Sequence, residues 1–95
     1  MQYLIIFRFV TPNEFVFPKH EQLESFVQQR GWDPVYREAC IKAGVIQTAD
    51  SEGQLRNFVD RRLASGETAE IVIAPEFESR EALVRWAKAL VNRGS

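Results

Sequence analysis

The sequence predicts a small α/β or α+β domain, two layers deep, with a sheet of two to four strands and about four helices. Three observations carry this. Residues 2–10 and 68–74 alternate with the two-residue period of a strand. Four other segments carry apolar residues at i, i+3 and i+4, continued to i+7 in two of them, the stripe of an amphipathic helix. The strands and helices interleave along the chain as β(β)αα(β)αβα, where brackets mark segments that read as strand or linker.

In the 2–10 segment Tyr3, Ile5, Phe7 and Phe9 fall on one face, and Leu4, Ile6, Arg8 and Val10 on the other. Both faces are largely apolar, which is the pattern of a central strand covered on two sides. Thr11-Pro12-Asn13-Glu14 is a turn signal. Phe15-Val16-Phe17 reads as a short return strand ended by Pro18.

A first helix is expected over 19–29 on Leu23, Phe26 and Val27, with Gly31 as its stop. Asp33-Pro34 has the form of an N-cap followed by proline at the first helical position. A second helix is therefore expected over 33–43, with Tyr36, Ala39, Cys40 and Ala43 as its stripe and Gly44 as its end. Residues 45–48 are ambiguous between strand and linker. Asp50 or Ser51 caps a third helix on Leu55, Phe58, Val59 and Leu63, closed by Gly66, and Ser51 with Gln54 has capping-box spacing. After the 68–74 strand, Ser79 caps a fourth helix on Leu83, Trp86, Ala87, Leu90 and Val91. Helices between strands suggest parallel pairing through crossovers. No internal repeat or low-complexity segment is read.

The chain has 95 residues, enough for a single domain over 1–95, with Gly94-Ser95 left outside the argument. Lys and Arg total 12 against 13 Asp and Glu, a net charge of −1, spread evenly along the chain. That balance argues against a non-specific nucleic-acid binder and equally against an acidic nucleic-acid mimic. The single cysteine excludes an intramolecular disulfide and a cysteine-based zinc site. No basic leader or apolar stretch of membrane-spanning length is read, so a cytoplasmic location is expected.

Residues capable of chemistry are few. His20, the one histidine, is expected to be exposed at a helix start, and Cys40 to be core material near a helix C-terminus, where the dipole disfavours a thiolate. Glu76, Glu78 and Glu81 follow a strand end, where α/β enzymes hold carboxylates or magnesium, but a solvated turn leading into a helix is the simpler reading. No glycine-rich phosphate loop accompanies them.

The function expected is a small non-enzymatic protein-binding module: a regulator, an immunity protein or a phage-type inhibitor of a host system. Its contact surface would be built from Phe15, Phe17 and Trp32, aromatics outside the helix stripes, with Arg37 nearby. No cofactor or metal is called for. A second copy of the chain is an expected partner if the sheet is left short of strands. One alternative is nucleic-acid binding through Arg56, Arg61 and Arg62 of the third helix with Arg85 and Lys88 of the fourth. The other is a metal-dependent enzyme using Glu76, Glu78 and Glu81.

Overall fold

A computed structural model describes residues 1–10 and 20–93. The elements run β1 (Gln2–Arg8), α1 (Glu21–Gln28), β2 (Asp33–Glu38), β3 (Ile41–Gln47), α2 (Glu52–Asp60), β4 (Thr68–Ile73) and α3 (Arg80–Arg93). The four strands form one sheet in the order β2-β3-β1-β4. Every neighbouring pair is antiparallel, so the expected parallel pairing is corrected. Parallel strands do exist, but each pair is split by a third: β3 lies between β1 and β2, and β1 between β3 and β4. This is the split βαβ arrangement of the ferredoxin-like topology, which hosts many unrelated functions and names none.

The central strand behaves as its sequence demands. Tyr3, Leu4, Ile5, Ile6 and Phe7 are all buried. Tyr3, Ile5, Phe7 and Phe9 pack with Leu23, Phe26 and Val27 of α1 and Leu55 and Val59 of α2. Leu4 and Ile6 pack on the other side with Val35, Ala43, Val45 and Leu83, Ala87 and Val91 of α3. The domain is therefore three layers, not two. Among the described residues no helix is long and apolar enough to cross a membrane.

The helix ends follow local chemistry. Ser51 and Gln54 exchange both bonds of a capping box at the start of α2. Ser79 accepts from the Ala82 N–H at the start of α3. Gly31 follows α1 at φ 73°, in the left-handed region that favours glycine.

An internal repeat is also present, contrary to expectation. Gln22-Leu23, Phe26-Val27 and Arg30 recur 32 residues on as Gln54-Leu55, Phe58-Val59 and Arg62. The two copies are α1 and α2, the equivalent helices of the two split units.

The largest correction concerns 33–47. The helix expected over 33–43 is a β-hairpin, β2 and β3, joined at Ala39-Cys40. Cys40 is thus half-buried at a hairpin turn, not in a helix core, and its carbonyl accepts from the Phe9 N–H at 2.8 Å. Of residues 45–48, the first three form the end of β3 and Thr48 follows it. Gly44 does not stop a helix. It is a strand interior position over which the Trp32 indole lies, and a Cβ there would stand 2.5 Å from the ring. The 15–17 segment lies outside the described residues.

The Lys42 side chain carries an ammonium group into the fold, the residue being only 3% exposed. It lies opposite Phe7 in β3, on the face covered by α1 and α2. Burial pushes its pKa below 10.5; the positive charge of Arg37 pushes the same way, and Glu24 offsets part of the effect.

Two outcomes follow. Gly44→Ala forces the Trp32 ring to move and should cost about 1–3 kcal/mol. Combining it with Trp32→Phe should recover part of that cost, measured as a coupling in denaturant unfolding. Lys42→Met should raise stability by about 1 kcal/mol. Because the folded pKa lies below the unfolded one, the unfolded chain holds more protons between the two values, and wild-type stability rises with pH there. The gain from Lys42→Met should be full below the lowered pKa and shrink as pH rises toward 10.5, read by unfolding at a series of pH values.

Candidate functional site

A sheet that stays open has two edges, and each leaves a row of backbone donors and acceptors to be managed. The edge at β2 is blunted. Pro34 has no N–H, and its carbonyl accepts from the Arg80 Nη2 at 2.9 Å. Arg80 also bonds the Asp33 carboxylate at 2.6 Å. The register shifts between Pro34 and Tyr36, which puts a bulge in the strand, and Arg37 and Glu38 add exposed charge.

The edge at β4 carries none of these devices. Its register against β1 runs unbroken from Thr68 to Ile73. Four of its six residues are β-branched, Thr68, Ile71, Val72 and Ile73, and Glu70 is its one charge. Proline comes only at Pro75, after the strand.

The direction of its backbone groups follows from the hydrogen bonds. The Ala74 N–H donates to the Gln2 carbonyl at 2.9 Å. In an antiparallel ladder that phase turns Val72, Glu70 and Thr68 toward β1 and leaves the N–H and C=O of Ala69, Ile71 and Ile73 pointing outward. The far side of β1 keeps the same phase, since Phe9 N–H bonds Cys40 in β3. Ile73 ends this edge at 55% exposure, an exposed β-branched side chain in a strand whose Ala69 and Ile71 are buried.

The residues singled out from sequence are dispersed. Trp32 is half-buried against the α1/α2 core, its ring 6.1 Å from that of Phe7. Arg37 is exposed on β2, across from Lys42, and not in a helix. Phe15 and Phe17 lie outside the described residues. Arg56 is on α2 and Arg61 and Arg62 at its C-terminal end, on one side of the sheet, while Arg85 and Lys88 are on α3, on the other. The structure thus brings the two halves of that basic set into separate patches. Glu76, Glu78 and Glu81 are all exposed, and no group of three potential metal ligands forms among the described residues.

Two arrangements were not foreseen. His20 is not an exposed helix-start residue. Its Nε2 lies 2.8 Å from Glu67 Oε1, with the two side chains 8% and 4% exposed, and its ring packs 5.0 Å from Phe9. The same Glu67 oxygen accepts the Ala64 N–H, which ties the loop before β4 to the start of α1.

The second is a four-layer stack between α1 and α2. Phe26 and Phe58 stack at 4.0 Å, with Arg30 over the first ring and Arg62 over the second. Arg62 reaches across to Gln22, and Arg30 to Asp50. The stack floors a groove of about 510 Å³. The repeated Gln-Leu-x-x-Phe-Val-x-x-Arg pattern was the signal that could have found it. Nothing in local sequence pairs His20 with a residue 47 positions away.

Comparison with protein-family models, with curated proteins and with solved structures finds no match.

The buried His20–Glu67 pair generates a prediction. Glu67→Ala leaves the imidazole and the Ala64 N–H without their acceptor and should cost about 2–3 kcal/mol. Glu67→Gln keeps a carbonyl oxygen in place and should cost less. Thermal unfolding of both variants at one pH checks the order.

Proposed function

We propose that this chain is a protein-binding module without a reaction of its own, and that its contact element is the outer edge of β4. The carrying observation is the contrast between the two sheet edges. One is closed by Pro34, a bulge and the Arg80 clamp; the other presents the outward backbone groups of Ala69, Ile71 and Ile73 beside an exposed isoleucine. An edge of this kind pairs with an extended segment of another chain, main-chain bonds giving affinity and alternate side chains giving selectivity. Ile73 would supply the apolar contact at the end of the added strand.

The non-enzymatic part of the reading is supported by how the reactive side chains are engaged. His20 and Glu67 bond each other inside the fold, and Cys40 sits at a hairpin turn. The three glutamates after β4 stand exposed in solvent. Trp32, the aromatic first expected at the contact, fills the space above Gly44 and belongs to folding more than to binding. A regulator, an immunity protein or an inhibitor of a host system would each use such a module.

Ile73→Pro and Ile73→Lys test the proposal. Both act on the outward side of the strand, and proline there deletes an N–H that β1 does not use. Both variants should keep the wild-type circular dichroism spectrum and melt close to wild type. Both should lose the partner that the wild-type chain captures from its native host. Equal recovery of that partner by folded Ile73→Pro would overturn the assignment of the contact to β4.

A further inference from the structure

The outward edge of β4 is self-complementary, and we propose that its occupant is β4 of a second copy, paired antiparallel about a two-fold axis at Ile71 to make one eight-stranded sheet. This rests on the reading of β4 as the contact element and goes further by naming the partner and the register.

The register follows from three constraints. A two-fold axis perpendicular to a sheet keeps each face on its own side, so a residue can face only a residue of the same parity. Centring on Ile71 sets Ile71 against Ile71, Ala69 against Ile73 and Glu70 against Val72 of the other copy. Centring on Glu70 instead would set two like charges directly opposite, which is destabilising. Centring on Val72 would bring Pro75 opposite Ala69, where its missing N–H leaves a bond unmade.

The Ile71 register also agrees with the hydrogen-bond phase. Ala69, Ile71 and Ile73 are the residues whose N–H and C=O point outward, and in this register each faces one of the three in the other copy. The pairs exchange about six hydrogen bonds between the copies. The same pairing sets Ile73, 55% exposed in one chain, beside the small side chain of Ala69 in the other. Glu70 and Val72 form the non-hydrogen-bonded pairs, where facing side chains come closest. Glu70 is already held 3.7 Å from Arg8 of its own chain, so it is not left as a lone charge against valine. The pairing is isologous and closes at two copies, because β2 at the other edge of each sheet is blunted.

The test uses sedimentation velocity over a range of protein concentrations, with wild type and three variants. Wild type should shift from monomer to dimer as concentration rises. Ile73→Pro should raise the dissociation constant by roughly tenfold or more. Val72→Glu sets glutamate against Glu70 twice in each dimer and should do the same. Val72→Lys sets lysine there instead and should dimerise at least as tightly as wild type.

Amide exchange gives a second measure that needs no variant. The N–H groups of Ala69, Ile71 and Ile73 should gain protection with concentration, while those of Glu70 and Val72, bonded to β1, stay protected throughout. A wild type that is monomeric at every concentration overturns the self-pairing; if it still loses a different partner on Ile73→Pro, strand addition at β4 stands. A dimer that ignores Ile73→Pro overturns both. Equal weakening by Val72→Lys and Val72→Glu overturns the register.

Discussion

Everything in this domain depends on β1 being buried on both faces at once. Tyr3 to Phe7 is a run of five side chains with no polar group among them except the Tyr3 hydroxyl, and a strand of that kind cannot stand at an edge or face water. Its odd-numbered residues require one apolar layer, and its even-numbered residues another. The first is supplied by the two helices of the split βαβ units, α1 and α2. The second is supplied by α3, which extends the chain past the last strand and covers the face that two helices alone would leave open. β1 also takes a partner on each side, and with β3 and β4 in those places the edges fall to β2 and β4.

That requirement was legible in the sequence, and so were α1, α2, β4 and α3, because each rests on local signals: period, caps and glycine stops. The hairpin was not. Asp33-Pro34 imitates a helix start, and Tyr36, Ala39, Cys40 and Ala43 fall by chance at helical spacing. The competing signal was the β-branched and aromatic content of Val35, Tyr36, Ile41, Val45 and Ile46. Its turn, Ala39-Cys40, lacks the glycine or asparagine that normally marks a two-residue hairpin. What decides the matter is tertiary: β3 pairs with β1 along its whole length, and the Trp32 ring lies over Gly44 where a Cβ would not fit. Pro34 is then an edge-strand proline, with nothing to donate and a carbonyl for Arg80.

The candidate site was legible only in outline. That a sheet edge would be left for a partner was expected from the shortage of strands. Which edge stays open was not, because it depends on strand order, on the bulge at β2 and on the parity of hydrogen bonding along β4. Of the expected aromatic surface, Trp32 takes a place that sequence alone does not give, for a related reason. An aromatic between two helix stripes looks spare in one dimension, but Trp32 is placed by the turn after α1 directly over β3.

The repeat in α1 and α2 bears on why this edge and not the helix face is the open surface. Leu23 and Val27, like Leu55 and Val59, point into the core, so the repeat first secures two equivalent core contacts. Phe26 and Phe58 then close on each other between the two helices, and a guanidinium covers the outer face of each ring. Each arginine also bonds the carbonyl of the phenylalanine it covers. The rings at the floor of the groove are therefore partly covered by the side chains that repeat with them. Among the described residues β4 has no such cover. Its outward backbone groups cannot be satisfied by its own short side chains, so among the described residues this strand presents a row of backbone donors and acceptors with an exposed isoleucine at its end.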